Sequence, residues 1–193
     1  MQPFRQHRGT VAPLWRADID TDQIVPKQFL SAITRAGFAR ALFHDWRRRP
    51  DGTLDPAFPL NDPAYAGATV LVTGANFGCG SSREHAAWAI ADAGFRAVLA
   101  PSFADIFFAN AVSNGILPVR LEEAAIVAER AAAAPGYAVS IDLDTRRVID
   151  GQGLDAAFAI DEASRHRLLH GLDDIARILE HEAAIAAYEA AHH

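Results

Sequence analysis

Cysteine is almost absent from this chain of 193 residues, which contains one, Cys79. A single cysteine excludes an intramolecular disulfide, and it excludes an iron–sulfur cluster held by this chain alone, because such clusters are ligated by several cysteine thiolates. The histidines show no metal-ligand spacing either; those considered are His44, His166, His170 and His181. The sequence therefore predicts that this chain binds no metal.

Long hydrophobic runs and an excess of positive charge are also absent. No apolar run reaches the length of a membrane span, and the first residues lack the apolar core of a signal peptide. The net charge is -6, whereas nucleic-acid sites need a dense basic footprint. The one basic cluster, Arg47-Arg48-Arg49, precedes the turn residues Pro50-Asp51-Gly52, which favours a solvated loop over a phosphate site. We expect a soluble cytoplasmic protein that contacts neither nucleic acid nor membrane.

Apolar strand patterns alternate with helical patterns along the chain, of which 50% is hydrophobic. This predicts one α/β domain over residues 1–193, with a helical tail from about residue 161. Strands are predicted at Thr10–Trp15, Ala68–Thr73, Ala97–Ala100, Ile116–Leu121, Tyr137–Asp142, Arg146–Ile149 and near Ala157–Ile160. Helices are predicted at Lys27–Trp46 with a break near Gly37, from Ser81 to before Gly94, and from Ser102 to Asn114-Gly115. An alanine-rich helix is predicted after the strand Ile116–Leu121 and ends at Pro135. A proline-rich loop is predicted over 47–66, and one apolar stripe in the tail at Ile175, Ile178, Leu179, Ile185 and Tyr188.

The segment from Gly74 to Trp88 carries the strongest functional signal. An apolar strand pattern leads into a glycine-rich turn, and the turn leads into a helix that we expect to open at Ser81-Ser82-Arg83-Glu84. Glycines let backbone N–H groups approach a ligand closely, and the free N–H groups of a first helical turn favour an anion. Arg83 adds a forked cation that suits a carboxylate. The pattern predicts an anion site at a helix N-terminus.

Ser81 also has a purely structural interpretation. Ser81-x-x-Glu84 fits a capping box, in which the serine caps the helix and the glutamate reaches back to the serine N–H. Ser82 is adjacent, and only one of the two hydroxyls is needed for a cap. Capping and chemistry are therefore compatible, and both interpretations remain open at this point.

Two common functions of such a loop do not fit it. Gly78-x-Gly80-x-x-Arg83 lacks the third glycine of a dinucleotide fingerprint, and neither a P-loop nor a Gly-x-Ser-x-Gly elbow occurs. A hydrolase acting alone through Cys79 or Ser81 remains an alternative, with Cys79 activated at the helix N-terminus and His85 as its base. Packing as a small residue is the simpler interpretation of Cys79.

Two motifs carry a resemblance to a known family. The run Asn76-Phe77-Gly78-Cys79-Gly80-Ser81-Ser82-Arg83-Glu84-His85-Ala86 closely resembles the signature of the aconitase superfamily's swivelling domain, and Asp20-Thr21-Asp22-Gln23-Ile24-Val25-Pro26 resembles its second signature. Other segments look like those of bacterial 3-isopropylmalate dehydratase small subunits, namely 27–30, 43–46, 100–107 and 184–189. The resemblance runs from about Gly9 to Tyr188. It implies an aconitase-type swivelling β/β/α domain with a helical C-terminal end.

The resemblance also implies an activity and a partner. Family members are hydro-lyases that isomerise 2-isopropylmalate and 3-isopropylmalate by removing and re-adding water in leucine biosynthesis. They act only with a large subunit, which holds a four-iron four-sulfur cluster, while the small subunit closes the active site on a small dicarboxylate. A non-catalytic subunit that binds carboxylates and regulates its partner is a further alternative.

Site residues follow from the same resemblance. Ser81 matches the catalytic base, and Ser82 and Arg83 match residues that bind substrate carboxylates. Asp22 matches a carboxylate that pairs with a histidine of the large subunit. Its structural alternative is a turn aspartate, because Asp18 and Asp20 crowd the same loop.

The stretch after Asp22 departs from the aconitase pattern. Aconitase-like members have an arginine there for the third carboxylate of citrate, whereas Val25 to Thr34 is largely apolar and suits an isopropyl group. We expect Leu30 to contact that group, and part of the segment 29–43 to cover the substrate as a mobile lid that bends at Gly37. Other apolar residues of this predicted lid are Ile33, Phe38, Leu42 and Phe43.

Two alternatives remain for this stretch. Phe29, Leu30 and Ile33 fit simple packing of a helix as well as they fit a specificity pocket. Lys27 and Arg35 are cations close by in the sequence, so a tricarboxylate substrate remains an alternative. A homoaconitase or a methylmalate-type dehydratase is therefore the second candidate within the class.

Overall fold

The computed structural model describes residues 1–31, 37–179 and 182–192. Within these residues the strands form one seven-stranded sheet of spatial order β4-β3-β2-β1-β5-β6-β7. Its strands are β1 (Gln6–Leu14), β2 (Val70–Thr73), β3 (Ala97–Ala100), β4 (Leu117–Arg120), β5 (Ala138–Asp142), β6 (Arg147–Ile149) and β7 (Asp155–Ala157). Strands β1 to β4 are parallel, and β5 to β7 continue from β1 in antiparallel pairs. A bridge between Arg120 and Ala159 joins the two ends, so the sheet is curled.

Helices connect the parallel strands and form the end of the chain. The α-helices are α1 (Thr21–Ile24), α2 (Glu84–Asp92), α3 (Asp105–Ser113), α4 (Ala124–Ala133), α5 (Glu162–His170), α6 (Asp174–Leu179) and α7 (Glu182–His192). Short 3₁₀ helices lie at Lys27–Phe29, Phe38–Ala41, Pro59–Asn61 and Pro63–Tyr65. Helix α2 joins β2 to β3 and α3 joins β3 to β4, the crossovers that parallel strands require.

The core lies on both faces of the sheet. Every residue of β2 is buried, as expected for a parallel strand that is covered on both faces. Val70 and Val72 pack in the cluster that includes α4, whereas Leu71 packs in the cluster that includes α2 and α3. The period of two along β2 thus divides its side chains between two hydrophobic layers.

The predicted strands are present, with shifts at exposed edges. β3 has the predicted bounds, because its short apolar run is buried throughout. β1 begins at Gln6 rather than Thr10, since its polar first half pairs with β5 and carries no apolar pattern. The last strand is β7 at Asp155–Ala157, earlier than the predicted position near Ala157–Ile160.

The helix predicted over Lys27–Trp46 is wrong for the described residues of that range. They form two short 3₁₀ helices, and Gly37 precedes the second in the left-handed region at φ 76°. Phe38, Leu42 and Phe43 are buried in the core, so tertiary packing outweighs the helical pattern here. A lid formed by part of the segment 29–43 stays a prediction. Ile33 and Arg35 lie outside the described residues.

The C-terminal helices expose their apolar side chains. The predicted stripe is largely solvent-exposed, from 41% at Ile185 to 71% at Ile175, and it also contains Ile178, Leu179 and Tyr188. None of the helices described combines the length and apolar character that crossing a membrane requires.

Asp150 connects α4 to the antiparallel part of the sheet. Its side chain is 0% exposed and accepts a hydrogen bond from the guanidinium of Arg130. Further donors are the Tyr137 hydroxyl at 2.8 Å and the backbone N–H groups of Gln152 and Leu154 at 2.6 and 3.0 Å. Burial raises the pKa of the Asp150 carboxyl, but these hydrogen bonds outweigh burial and lower it to about 2. Burial and the nearby carboxylate raise the pKa of Tyr137 to about 12.

The lowered pKa of Asp150 predicts a pH-dependent contribution to stability. The contribution is fully present above the unfolded pKa of about 4 and is lost as pH falls through the folded value. We expect Asp150→Asn to lower the free energy of unfolding by roughly 3 kcal/mol at neutral pH, and by much less as the pH approaches about 2. Thermal unfolding of both proteins across this pH range measures the difference.

Asp155→Asn is the matched control for this prediction. Asp155 forms an ion pair with Arg147 in which both side chains are well exposed, 56% and 40%. An exposed pair of this kind contributes little to stability. A loss of stability in Asp150→Asn that is no larger than in this control, or that does not shrink at low pH, contradicts the account.

Candidate functional site

Three loops meet at the carboxyl-terminal edge of the parallel strands, where α/β sheets bind ligands. The loop after β2 lies between the loops that follow β1 and β3. Its Gly78 N–H donates to the Ile19 carbonyl at 2.7 Å, and its Phe77 N–H donates to the Ser102 carbonyl at 3.1 Å. The loop after β2 is thus hydrogen-bonded on both sides.

Gly78 sets the course of this loop. Its φ is 77°, and a Cβ built at this position lies 2.2 Å from the ring of Phe107 on α3. Both the backbone conformation and the close approach require glycine here. Phe107 is buried and packs edge-on against Phe77, so the loop rests on a rigid part of the core.

Helix α2 begins at Glu84, later than the predicted opening at Ser81. Arg83 occupies the N-cap position, and no side chain caps the helix. The Glu84 carboxylate accepts hydrogen bonds from Trp88 Nε1 at 3.0 Å and Asn114 Nδ2 at 3.2 Å. The capping-box interpretation of Ser81 is therefore wrong. The reason is tertiary, because Cys79 forms a parallel bridge with Asp20 and the chain then turns at Gly80, whose φ is 89°, so that the helix begins only after Arg83.

Ser81 and Ser82 lie on the surface of this loop. Both residues are exposed. Among the described residues, nothing hydrogen-bonds to the Ser81 hydroxyl or accepts a bond from the backbone N–H groups of Ser82 and Arg83. An exposed hydroxyl and two neighbouring N–H donors without an acceptor among the described residues therefore lie at the start of α2, an arrangement that suits an anion.

Arg83 and Asp22 form an ion pair across the two signature loops. The Arg83 guanidinium donates through Nη1 to Asp22 Oδ1, with side-chain exposures of 12% and 42%. The sequence predicts a role for each of the two residues but not this contact. It brings Ser81, Arg83 and Asp22 into one site.

Asp20, not Asp22, is the turn residue of the first signature. Its carboxylate accepts the Gln23 N–H at 2.7 Å, and the Gln23 side chain accepts the Asp20 N–H at 3.0 Å. This capping box starts helix α1. The side chain of Asp22 is left to contact Arg83, which argues against the turn-aspartate interpretation of Asp22.

Thr21 was not singled out from the sequence, although it lies between the two aspartates of the signature. Its N–H donates to the Cys79 carbonyl at 2.9 Å, and its hydroxyl donates to the Ser81 carbonyl at 2.9 Å. Thr21 is 2% exposed. A small polar residue next to Asp22 was the one indication of this role in the sequence. The acceptor of its hydroxyl, the Ser81 carbonyl, is distant in sequence and could not be predicted.

Cys79 does not have the properties of a nucleophile. Burial raises the pKa of its thiol, and the nearby carboxylates of Asp20 and Asp18 raise it further. Reactive cysteines need the opposite shift. The candidate base His85 packs against the rings of Phe38 and Trp88, with centroid distances of 5.6 and 4.6 Å.

Leu30 lies at the end of the 3₁₀ helix Lys27–Phe29. It is half-buried and packs with Phe29 against the core cluster that includes α2. The Phe29 ring contacts His44 edge-on at a centroid distance of 5.0 Å. These contacts are those of a packing residue at the rim of the core, and a role in specificity stays a prediction.

The residues of this chain do not fit an iron–sulfur cluster. Cys79 is the single cysteine, whereas such a cluster is ligated by several cysteine thiolates. Across the described ranges, no three or more His, Cys, Asp or Glu residues are grouped so that they hold a metal ion.

Comparison with known proteins agrees with this geometry. Residues 1–124 match the aconitase C-terminal domain, and residues 127–162 match the family described as LeuD_N. The fold is thus that of an aconitase-type swivelling domain, as the sequence predicted.

Relatives that match nearly the full chain identify the family within this class. The 3-isopropylmalate dehydratase small subunit of Rhodopirellula baltica is 53% identical and covers 99% of both chains. That of Brevibacillus brevis is also 53% identical, over 98% of this chain and 99% of its own. A crystal structure of 3-isopropylmalate dehydratase from Methanocaldococcus jannaschii superimposes with a TM-score of 0.70 at 27% identity, over 95% of this chain and 99% of that one. The chain belongs to the family of 3-isopropylmalate dehydratase small subunits.

Proposed function

We propose that this chain supplies the base and the carboxylate-binding groups of a 3-isopropylmalate dehydratase active site that a large subunit completes. The family is one of hydro-lyases of leucine biosynthesis, which isomerise 2-isopropylmalate and 3-isopropylmalate by dehydration and rehydration. The observation that carries the proposal is the exposed Ser81-Ser82-Arg83 run at the sheet edge, with Asp22 beside it. The single cysteine supports assigning the four-iron four-sulfur cluster to the large subunit. A cytoplasmic location remains a prediction from the sequence.

Ser81 is the proposed base. As an alkoxide, its Oγ takes the proton from the carbon next to the one that carries the departing hydroxyl. The electron pair of that C–H bond forms a C=C bond, and the hydroxyl leaves as water with a proton from the large-subunit histidine that Asp22 is proposed to contact. In the hydration direction water adds to the double bond and Ser81 returns its proton to carbon. A serine hydroxyl is a weak acid, so its anion needs strong local stabilisation. The N–H groups of Ser82 and Arg83, which have no acceptor among the described residues, are donors of the kind found in oxyanion holes, and the dipole of α2 adds to their effect.

Arg83 and Ser82 are the proposed ligands of a substrate carboxylate. The guanidinium of Arg83 is already held in place by Asp22, which lowers the entropy lost when a carboxylate binds its fork. Asp22 remains 42% exposed, so a histidine of the large subunit has access to its carboxylate. A carboxylate next to an imidazole favours the protonated ring and so tunes its proton transfer.

The substrate side group is proposed to lie against Leu30. We expect Leu30→Arg to lower kcat/KM for isopropylmalate and to improve the relative value for a substrate with a carboxylate in place of the isopropyl group. An apolar contact of this size is worth about 1–3 kcal/mol, so the change in preference should be roughly 10- to 100-fold. Kinetics of both substrates with the reconstituted enzyme measure it.

Leu60→Arg is the control for this prediction. Leu60 is half-buried and packs against the same core cluster from the 3₁₀ helix Pro59–Asn61. It should lose stability as Leu30→Arg does, without a change of substrate preference. An unchanged preference in folded Leu30→Arg, or failure of this variant to fold, assigns Leu30 to packing and the pocket to other residues.

Reconstitution tests the proposed function as a whole. The isolated chain should contain no stoichiometric iron and should not turn over isopropylmalate. Mixing it with a 3-isopropylmalate dehydratase large subunit, whose cluster has been rebuilt under anaerobic conditions, should restore the isomerisation. Turnover or stoichiometric iron in this chain alone contradicts the proposal.

A further inference from the structure

The two signature loops are joined by the side chain of a buried threonine. Thr21 is 2% exposed, and its hydroxyl donates to the carbonyl of Ser81 at 2.9 Å. Its own N–H donates to the carbonyl of Cys79, also at 2.9 Å. Among the described residues, Thr21 and Thr73 are the two polar residues that are buried.

The backbone of Thr21, whose hydroxyl donates the bond to the Ser81 carbonyl, is held in place by helix α1. Thr21 is the first residue of α1, whose start is held by the Asp20–Gln23 capping box. A β-branched side chain has few χ1 rotamers, and a buried hydroxyl that loses its acceptor is left with an uncompensated desolvation cost. The Thr21 hydroxyl therefore has one preferred direction, toward the Ser81 carbonyl.

The geometry of the peptide bond transmits this direction to the site. The carbonyl of Ser81 and the N–H of Ser82 belong to one planar unit, and no described peptide bond is cis. In a trans peptide the C=O and N–H point in opposite directions. Because Thr21 holds the Ser81 carbonyl inward, the Ser82 N–H must point outward, where it has no acceptor among the described residues.

We propose that Thr21 is a positioning residue, whose hydroxyl orients the Ser81–Ser82 peptide so that the Ser82 N–H and the Ser81 hydroxyl present a fixed geometry to the substrate. This inference rests on the proposed role of Ser81. It adds a residue that does not touch the substrate but acts through the backbone of one that does.

Thr21→Val removes the hydroxyl and preserves the shape of the side chain. With the reconstituted enzyme we expect kcat to fall by on the order of 10²-fold, the effect of a small misplacement of reacting groups. Thr21→Ser keeps the donor and should recover most of the lost kcat. Should the valine variant fail to fold, Thr21→Ala takes its place, because it also lacks the hydroxyl.

Thr73→Val is the matched control. Thr73 is 0% exposed and its hydroxyl donates to the carbonyl of Arg16 at 3.1 Å, so it loses a bond of the same kind. Both valine variants should lower Tm, but Thr73→Val should keep its kcat. A purely structural role of Thr21 predicts a lower Tm in both variants and a lower kcat in neither.

A double-mutant cycle separates this inference from the proposed function. If Thr21 acts through the Ser81–Ser82 peptide, Thr21→Val should cause little further loss of kcat in a Ser81→Ala background. Full additivity, a near-normal kcat in folded Thr21→Val, no recovery in Thr21→Ser, or failure of both the valine and alanine variants to fold overturns the inference. Failure of the proposed function is seen separately, as near-normal turnover of Ser81→Ala alone.

Discussion

Ser81→Ala, assayed with the large subunit, is expected to lose kcat by on the order of 10²- to 10⁴-fold, the range for a positioned acid–base group. The fold should not change, because Ser81 is exposed and Arg83, not Ser81, is the N-cap of α2. We expect the free energy of unfolding to stay within about 0.5 kcal/mol of the wild type, as for other surface substitutions. Steady-state kinetics and thermal unfolding of the same preparation measure both quantities.

A genuine helix cap provides the control for this variant. Asp161 caps α5 by accepting the Ser164 N–H at 2.9 Å, so Asp161→Ala should cost about 1 kcal/mol of stability. It should leave kcat unchanged, since α5 is remote in sequence from both signatures and is outside the proposed site. The opposite pattern in Ser81→Ala, a lower Tm with nearly normal turnover, makes Ser81 structural.

Arg83→Lys is expected to raise KM by about 10- to 100-fold, because a hydrogen bond to a charged group contributes about 1.5–3 kcal/mol. Lysine keeps the charge, and therefore the attraction to Asp22, but it lacks the planar fork that binds a carboxylate through two N–H groups. The effect on kcat should be smaller than the effect on KM. Initial rates over a range of isopropylmalate concentrations separate the two parameters.

Arg147→Lys controls for the loss of a guanidinium in general. Arg147 also donates to a carboxylate, that of Asp155, but on β6 and away from the site. Its replacement should leave KM and kcat unchanged. If Arg83→Lys shows a KM equal to that of this control, Arg83 does not bind the substrate through its fork.

The sequence predicted the strands best where the local pattern and the burial agree. β3 is short, apolar and buried throughout, and its bounds were predicted without error. The first half of β1 is polar because it pairs with β5 at an exposed part of the sheet, so no apolar pattern indicated it. The region after Lys27 has a helical pattern, but in its described parts large side chains pack into the core and the chain forms short 3₁₀ helices at Lys27–Phe29 and Phe38–Ala41.

The residues of the site could be named from the sequence, but their contacts could not. The bond between Arg83 and Asp22 joins residues 61 positions apart, and that between Thr21 and Ser81 joins residues 60 apart. No local pattern encodes such pairs. The start of α2 was missed for a related reason. Ser81-x-x-Glu84 satisfies the local rule for a cap, but the bridge from Cys79 to Asp20, a residue distant in sequence, fixes the chain before the helix.

If this chain contributes the base, Ser81, to an active site completed by a large subunit, a chain without that base should block the large subunit. In a competition assay, a limiting amount of reconstituted large subunit is mixed with wild-type chain and increasing amounts of Ser81→Ala chain. We expect the variant to bind the large subunit normally without supporting turnover, so that equal amounts of the two chains give roughly half the wild-type rate by mass action. A rate that does not fall as the variant is added, whether because the variant does not bind or because it supports full turnover, is the result that excludes this role of Ser81.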